Sequence, residues 1–414
     1  MANTSDEPAI NTISPTTTNG NWFWKDGQRV STSLHSHFSN KTDPKIQFLI
    51  KGLTYAPRKS NASPWSPESY IDPLGDAWLP ELRKDIPYLR QLGINAITVD
   101  HADISQPPDQ ALQLLHDAGI YVLLELFTNI PSKTDSSLAE IDLQTLYSPN
   151  RVRKNLVLVS QTAKFPNVLG YSISQDIHTL ASTKLASLHR AAVRDTKLFL
   201  EKSGCRQIPV GAGMSMNQMH RRQTLQFMAA GEPAERADFV SFGVYDWADP
   251  SNFQISGYKG LVERLGVDPV PMFFGAYGTQ LGKPRDLGEV ECLLSSQMTG
   301  VFSGGFLHTF GHVEVDPGSG DDEDGGDDDN DEDEGGYDLV RIRNDGTRRP
   351  KRDYVTYQQR LADVAAKPDE DVGGGHEKKD YESWRGAFPG VDWRWLADPQ
   401  DVPVFPLEWS AMLE

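Results

Sequence analysis

The sequence predicts an α/β fold, a (β/α)8 barrel, on three observations. Eight short apolar runs recur between residues 47 and 310. Segments with helical periodicity separate them. The repeats fill roughly 260 residues, close to the ~250 of a typical barrel. Near-continuous apolar strands alternating with helices imply a parallel sheet covered by helices.

The runs are QFLIKGLTY (47–55), INAITVD (94–100), IYVLLEL (120–126), NVLGYSI (167–173), IPVGAG (208–213), DFVSFGVY (238–245), VPMFFGAYG (270–278) and GVFSGGFLHTF (300–310). The periodicity predicts helices over 79–93, 109–119, 151–165, 183–204, 216–231, 256–266 and 285–300. The second ends on Gly119, a residue suited to a helix C-terminus. A doubly wound open sheet would carry a Gly-rich phosphate turn after its first strand. Here TYAPRKSNASPWSP follows instead.

The flanks divide the chain further. Residues 1–45 are rich in Ser, Thr and Asn and read as a disordered polar arm, with one short strand at Trp22–Trp24. The barrel is expected over 46–364, interrupted after strand eight by an acidic low-complexity insert, 314–336. From Asp321 to Glu334 there are eleven acids and no base. Such a run repels itself and stays solvated. It reads as a loop insertion, or as a docking segment for a basic protein partner. Residues 337–364 read as a strand, a turn at Asn344–Gly346 and a final helix. The tail, 365–414, carries Tyr381, Trp384, Phe388, Trp393 and Trp395, which either pack back on the barrel or bind a partner.

The formal charge of −18 owes much to that insert. No clustered Lys/Arg surface is evident, which argues against nucleic-acid binding. Two cysteines, Cys205 and Cys292, exclude a disulfide framework and read as reduced thiols. Secretory-signal, lipid-anchor and membrane-span patterns are missing from these residues, so a cytoplasmic protein is expected. Metal-ligand spacings and nucleotide motifs are missing too, so no metal or cofactor is expected.

Chemistry in such a barrel sits at the C-terminal ends of strands. Those ends carry Asp100, His101 and Asp103, Glu125, Gln175, Asp176 and His178, Tyr245, Asp246 and Trp247, Ala276 and Tyr277, and His308. Aromatics beside carboxylates on a barrel rim point to a sugar groove.

At these stretches the chain resembles the fungal 1,3-β-glucanosyltransferases of glycoside hydrolase family 72. The resemblance runs from about Phe48 to about Val364, outside the acidic insert. Its carriers are IKGLTYAP (50–57), DPLGD (72–76), RKDIPYLRQLGINAITV (83–99), LHDAGIYVLLEL (115–126), NVLGYSISQD (167–176), AAVRDTK (191–197), IPVG (208–211), YDW (245–247), SGY (256–258), VPMFFGAYG (270–278) and MTGVFSGG (298–305). The resemblance implies a retaining transfer of cell-wall β-1,3-glucan by cell-surface, anchored enzymes. Such a mechanism uses two carboxylates about 5–5.5 Å apart, one as acid/base and one as nucleophile.

Residue by residue, the implied site is degenerate. The family's GNE segment reads Ser174–Gln175–Asp176, so the acid/base survives as a shorter carboxylate. Its FFSEYG segment reads Phe273 to Gly278, with Ala276 at the nucleophile position. Its RVY reads Thr98–Val99–Asp100, its Asp after strand three reads Glu125, and its YEY reads His308–Thr309–Phe310. The cysteines of EWCG and after FFSEYG read Ala248 and Thr279. A methyl group cannot form a glycosyl ester. The expectation is therefore a pseudoenzyme with a binding or scaffold role, taking β-1,3-glucan or an oligosaccharide. Tyr245, Trp247, Tyr277, Asp103, Glu125 and His308 are its expected substrate contacts. The alternative is an active glycosidase or transglycosylase that pairs Asp176 with Glu125 or Asp246.

Overall fold

The computed structural model describes residues 23–26, 29–32, 46–58, 70–126, 142–174, 181–214, 219–268, 270–280, 285–311, 313, 336–343, 345–366, 386–392 and 395–413. All eight apolar runs form strands, and the eight close into one parallel barrel. In chain order these are β4 (Ile50–Thr54), β5 (Ala96–Val99), β6 (Tyr121–Leu126), β7 (Val168–Ser174), β8 (Val210–Met214), β9 (Val240–Val244), β10 (Met272–Tyr277) and β11 (Phe302–Leu307). Each pairs with its sequence neighbour, and β11 returns to pair with β4 from Gly304↔Ile50 to Leu307↔Leu53. This is the predicted (β/α)8 architecture.

The lower half of the interior is plugged by Phe48, Ile50, Tyr121, Leu123, Leu169, Phe239, Phe273 and Phe306. Space for these rings comes from glycines on neighbouring strands. A Cβ at Gly52 would lie 2.4 Å from the Phe306 ring, and one at Gly211 would lie 2.3 Å from Phe239. Side chains of opposite parity face the outer helices and form the larger core.

The helices follow the predicted segments. Leu79–Leu92 ends at Gly93, whose φ of 78° lets its N–H bond back to Arg90 O. Asp109–Asp117, Pro149–Thr162, Ala186–Lys202, Arg221–Ala229 and Tyr258–Leu265 come next. One segment differs. The single helix expected over 285–300 is two short ones, Glu289–Leu293 and Ser296–Thr299. The Ser295 hydroxyl donates to Cys292 O at 2.7 Å, and serine bonds of this kind compete with the helical ladder.

The expected disordered arm holds more than one short strand. β1 (Phe23–Asp26) pairs antiparallel with β2 (Arg29–Thr32) and with β3 (Ile46–Gln47). The rest of 1–45 and residues 314–335 lie outside the described residues. The second expected strand–turn–helix is present: β12 (Val340–Ile342) pairs with β13 (Arg348–Pro350), with Gly346 at φ 79° between them, and the helix Arg352–Ala366 follows.

That last segment seals the barrel where β11 meets β4. Arg348 Nε donates to Asp85 Oδ1 at 2.7 Å, and the Tyr55 hydroxyl donates to Asp85 Oδ2 at 2.6 Å. Trp78 Nε1 donates in turn to the Tyr55 hydroxyl at 2.9 Å. Burial raises the Asp85 carboxyl, and the Arg348 and Tyr55 bonds oppose that shift. The tail question is also decided for its described part: Trp395 is fully buried against Phe227, with ring centroids 5.6 Å apart. Tyr381, Trp384 and Trp393 lie outside the described residues.

Arg348 also pairs with Glu81, so losing Asp85 leaves that charge one partner and removes the carboxylate that Arg348 and Tyr55 share. Asp85→Ala is therefore expected to lower unfolding stability by about 1.5–3 kcal/mol in urea titration, the range for a hydrogen bond to a charged group. Tyr55→Phe removes two hydrogen bonds, one to Asp85 and one from Trp78, and should cost about 2 kcal/mol.

Candidate functional site

Strand parity decides which side chains reach the barrel mouth. The phase set by the interior plug carries Thr98 and Asp100 from β5 and Glu125 from β6 to the inside. Thr98 Oγ1 donates to Glu125 Oε1 across a long 3.5 Å bond, and Glu125 is half-buried.

β10 breaks parity. Phe274 and Tyr277 stand three residues apart, yet both belong to the outer core. The pairing with β9 shifts register between Phe274 and Ala276. A bulge of this kind re-aims one side chain, and bulges gather beside active sites. Tyr277 is thereby turned into the wall, while Ala276 stays partly exposed.

Beside it, at the ends of β11, β4 and β5, lies a group of charged and aromatic side chains. Arg58 Nη2 donates to Asp100 Oδ2 at 3.0 Å. The Arg58 guanidinium lies 4.8 Å over the Tyr70 ring, which stacks on His101 at 3.6 Å. His101 Nδ1 lies 3.8 Å from Asp100 Oδ1. Burial, helped by nearby Arg58, pushes His308 down to about 4, so its imidazole is neutral near pH 7. The Tyr337 ring meets His308 at 5.0 Å and Tyr245 at 5.9 Å, both edge-to-face. Arg285 fixes this wall: Nη1 donates to His308 O at 3.1 Å, Nη2 to Tyr337 O at 2.8 Å, and Nε to Asp353 at 2.5 Å. Tyr337 was not among the expected contacts. Its position directly after the acidic insert makes it look like the start of a strand.

Two expected sugar contacts lie in the wall instead. Trp247 is only 3% exposed; its Nε1 donates to Asp249 Oδ1 at 2.6 Å and its ring packs on Tyr258. Tyr277 is 2% exposed and hydrogen-bonds Tyr357, whose hydroxyl donates to Gly52 O at 2.8 Å. Asp103 is exposed and accepts the Ser105 N–H at 2.9 Å, closing its own turn. Asp246 accepts Arg221 Nη1 at 3.1 Å. Gln175, Asp176 and His178 lie outside the described residues.

Behind the mouth, Glu289 is 1% exposed and accepts the Tyr258 hydroxyl at 3.0 Å. It also accepts the backbone N–H of Thr279, just after β10. Burial is the main cause that raises it to about 8, with Asp249 adding to the rise. The neighbouring Cys292 is pushed up to about 12 by burial, so its thiol is unreactive near pH 7. Cys205 and Cys292 are both free. Among the described residues no group of His, Cys, Asp and Glu could hold a metal ion, and no helix is long and apolar enough to cross a membrane.

Between its ordinary value of 4.5 and about 8, folded Glu289 keeps a proton that the unfolded chain releases. Stability should therefore fall as pH rises through that window. In thermal melts at pH 5 and pH 9, Glu289→Gln should narrow the difference between the two midpoints, because the amide still accepts from Tyr258 and never ionises.

A profile of the glucanosyltransferase family, glycoside hydrolase family 72, matches residues 28–323. The chain is 31% identical over 278 residues to the 1,3-beta-glucanosyltransferase gas5 of Schizosaccharomyces pombe, covering 65% of this chain and 52% of that protein. It is 30% identical over 320 residues to pH-responsive protein 2 of Candida albicans, covering 77% of this chain and 52% of that protein. The chain spans about half the length of the curated relatives it matches. Among solved structures, Saccharomyces cerevisiae Gas2p in complex with laminaripentaose superposes with a TM-score of 0.68 at 25% identity, over 88% of this chain and 74% of that one. These matches overturn the cytoplasmic expectation, since the family comprises cell-surface glucanosyltransferases, secreted or anchored. A leader or anchor missing from these residues carries no weight when so much of the relatives' length is unmatched, and few cysteines do not by themselves fix a compartment. With most of its length matched by the profile and relatives at 30% identity or above, the chain belongs to the glucanosyltransferase family, glycoside hydrolase family 72.

Proposed function

We propose that this chain is a catalytically silent glucanosyltransferase relative that retains a mouth for β-1,3-gluco-oligosaccharides. The reading is carried by Ala276. Its segment, Phe273 to Gly278, resembles the family's FFSEYG with alanine where that motif has glutamate, and the β10 bulge gives it a partly exposed place beside a buried Tyr277. A retaining mechanism needs a carboxylate there to form the glycosyl ester. Alanine supplies neither an oxygen nucleophile nor a charge for an oxocarbenium-like transition state. Loss of a nucleophile alone costs many orders of magnitude in rate.

Binding makes lighter demands than chemistry. Tyr245 and Tyr337 form an aromatic corner that Arg285 and neutral His308 hold in place. Aromatic faces stack on the apolar faces of pyranose rings. Asp103, Glu125 and Asp100 offer carboxylate acceptors to sugar hydroxyls nearby. The likeness to a protein seen with laminaripentaose supports the choice of ligand. Trp247 and Tyr277 are left out of the contact surface because both are spent in the wall.

Incubation with reduced laminari-oligosaccharides should give neither longer nor shorter products. Titration with laminaripentaose should saturate, and Tyr245→Ala should weaken binding about tenfold, the equivalent of ~1.4 kcal/mol. Elongated or shortened products that disappear in Asp176→Ala would overturn the silent-enzyme reading and favour a carboxylate pair built on Asp176 with Glu125 or Asp246.

A further inference from the structure

We infer that Glu289 is a positioning residue of the mouth: its one buried carboxyl brackets the β10 bulge from both sides and so sets where Ala276 and the exits of β9 and β10 lie. The inference rests on the proposed oligosaccharide mouth, whose aromatic corner starts from Tyr245 at the exit of β9.

Each limb of the bracket is a contact of that carboxyl. Ahead of the bulge, the Tyr258 hydroxyl donates to Glu289 Oε2 at 3.0 Å, and the Tyr258 ring stands edge-on to Phe274 of β10 with centroids 5.2 Å apart. Behind the bulge, the Thr279 backbone N–H donates to the same carboxyl. Between the limbs lie the register shift from Phe274 to Ala276 and Gly278, whose φ of 107° suits glycine. A third side comes from the chain after β9. The Trp247 ring packs on Tyr258 at 5.2 Å, and a Cβ at Gly288 would lie 3.3 Å from Asp249 Oδ1 and 3.6 Å from the Trp247 ring. The helices Glu289–Leu293 and Tyr258–Leu265 and the two strand exits therefore meet at one side chain that is 1% exposed.

A bulge disrupts the ladder and leaves a residue unpaired, so its shape has to be held by other contacts. Glu289 supplies them from behind the wall and needs touch no sugar. Both limbs use the carboxyl as an acceptor, which a protonated carboxyl still provides. Glutamine offers a matching acceptor, and leucine offers none.

The groups around the carboxyl give the bracket a pH dependence. Burial, with Asp249 adding to it, raises Glu289 to about 8, against the Tyr258 bond, Arg285 and the Thr279 bond. Tyr258 and Tyr277 face it from the neighbouring helix and strand, and burial holds both well above the usual tyrosine range. Cys292, on the same helix, is pushed up to about 12. Arg285 pairs with Asp353, and Arg360 pairs with Asp286 and Glu291. Of Glu289, the two tyrosines and the thiol, only Glu289 gives up its proton between pH 7 and 9. Ionisation then sets a second negative charge beside Asp249 in a buried corner and draws the carboxylate toward Arg285. Arg285 holds the backbone of His308 and Tyr337, so the aromatic corner is disturbed from behind.

The test uses the full chain. In Glu289→Leu, backbone hydrogen exchange at pH 7 should rise about fivefold in residues 272–280, and Glu289→Gln should restore the unmodified rates. Tyr258→Phe keeps the ring on Phe274 and deletes one limb, so it should give a smaller rise in the same residues; it carries the exchange test if Glu289→Leu does not fold. The Kd for laminaripentaose should rise several-fold from pH 7 to pH 9 in the unmodified protein and stay flat in Glu289→Gln. Unchanged exchange in 272–280 when the limbs are removed would overturn the inference; so would a Kd that does not change with pH in the unmodified protein, or a pH dependence that persists in Glu289→Gln. If the unmodified protein shows no saturable binding at pH 7, the oligosaccharide reading fails on its own and the exchange measurements still decide the bracket.

Discussion

Everything at the mouth depends on closure of the barrel between β11 and β4. These strands are separated by some of the longest sequence distances in the fold, and their pairing must offset a large loop-closure entropy. Four ladder positions pair along this seam. Behind it, the chain that follows the barrel supplies the reinforcement. Arg348 grips Asp85, Tyr357 donates to Gly52 O on β4, and Asp353 holds Arg285, which in turn fixes the backbone of His308 and Tyr337. One guanidinium thus connects the outer helix to the wall of the site. The seam and the mouth are consequently one mechanical unit: loosening the last helix would release the aromatic corner as well.

The charged side chains at the mouth largely carry their own partners. A bare carboxylate in a partly buried site carries a desolvation cost, and catalysis is what justifies it. Here much of the charge is internally compensated. Arg58 neutralises Asp100, Arg221 meets Asp246, and His308 is held neutral by burial. Glu289, the most deeply buried acid near β10, holds a proton and a tyrosine hydroxyl and lies behind the wall.

The eight strands were legible because strands of a parallel sheet are buried on both faces and so read as continuous apolar runs. The helices were legible for a related reason, one apolar stripe against the sheet, and differed where Ser295 splits 285–300 and where Ala181–Leu185 winds as a 3-10 turn ahead of its helix. The site was legible in part. Glu125, Ala276 and His308 were expected at strand ends on the rim, and the structure places them there. Trp247 and Tyr277 were read as groove residues, and nothing local could have said otherwise. Their burial depends on a bulge in β10 and on Tyr258 and Tyr357, partners that come from distant elements. Tyr337 was missed because its neighbours His308 and Tyr245 lie on two different strand ends.

The sequence by itself determined the barrel, its order of elements, the family and the residue at each motif position, because periodicity and motif identity are local properties of the chain. Tertiary structure decided which rim side chains face the mouth and which are spent in the wall, how the seam is braced, and where the tail goes. Those outcomes depend on contacts between residues tens to hundreds of positions apart. A one-residue bulge is enough to turn a tyrosine from the interior to the wall, and no local pattern records it.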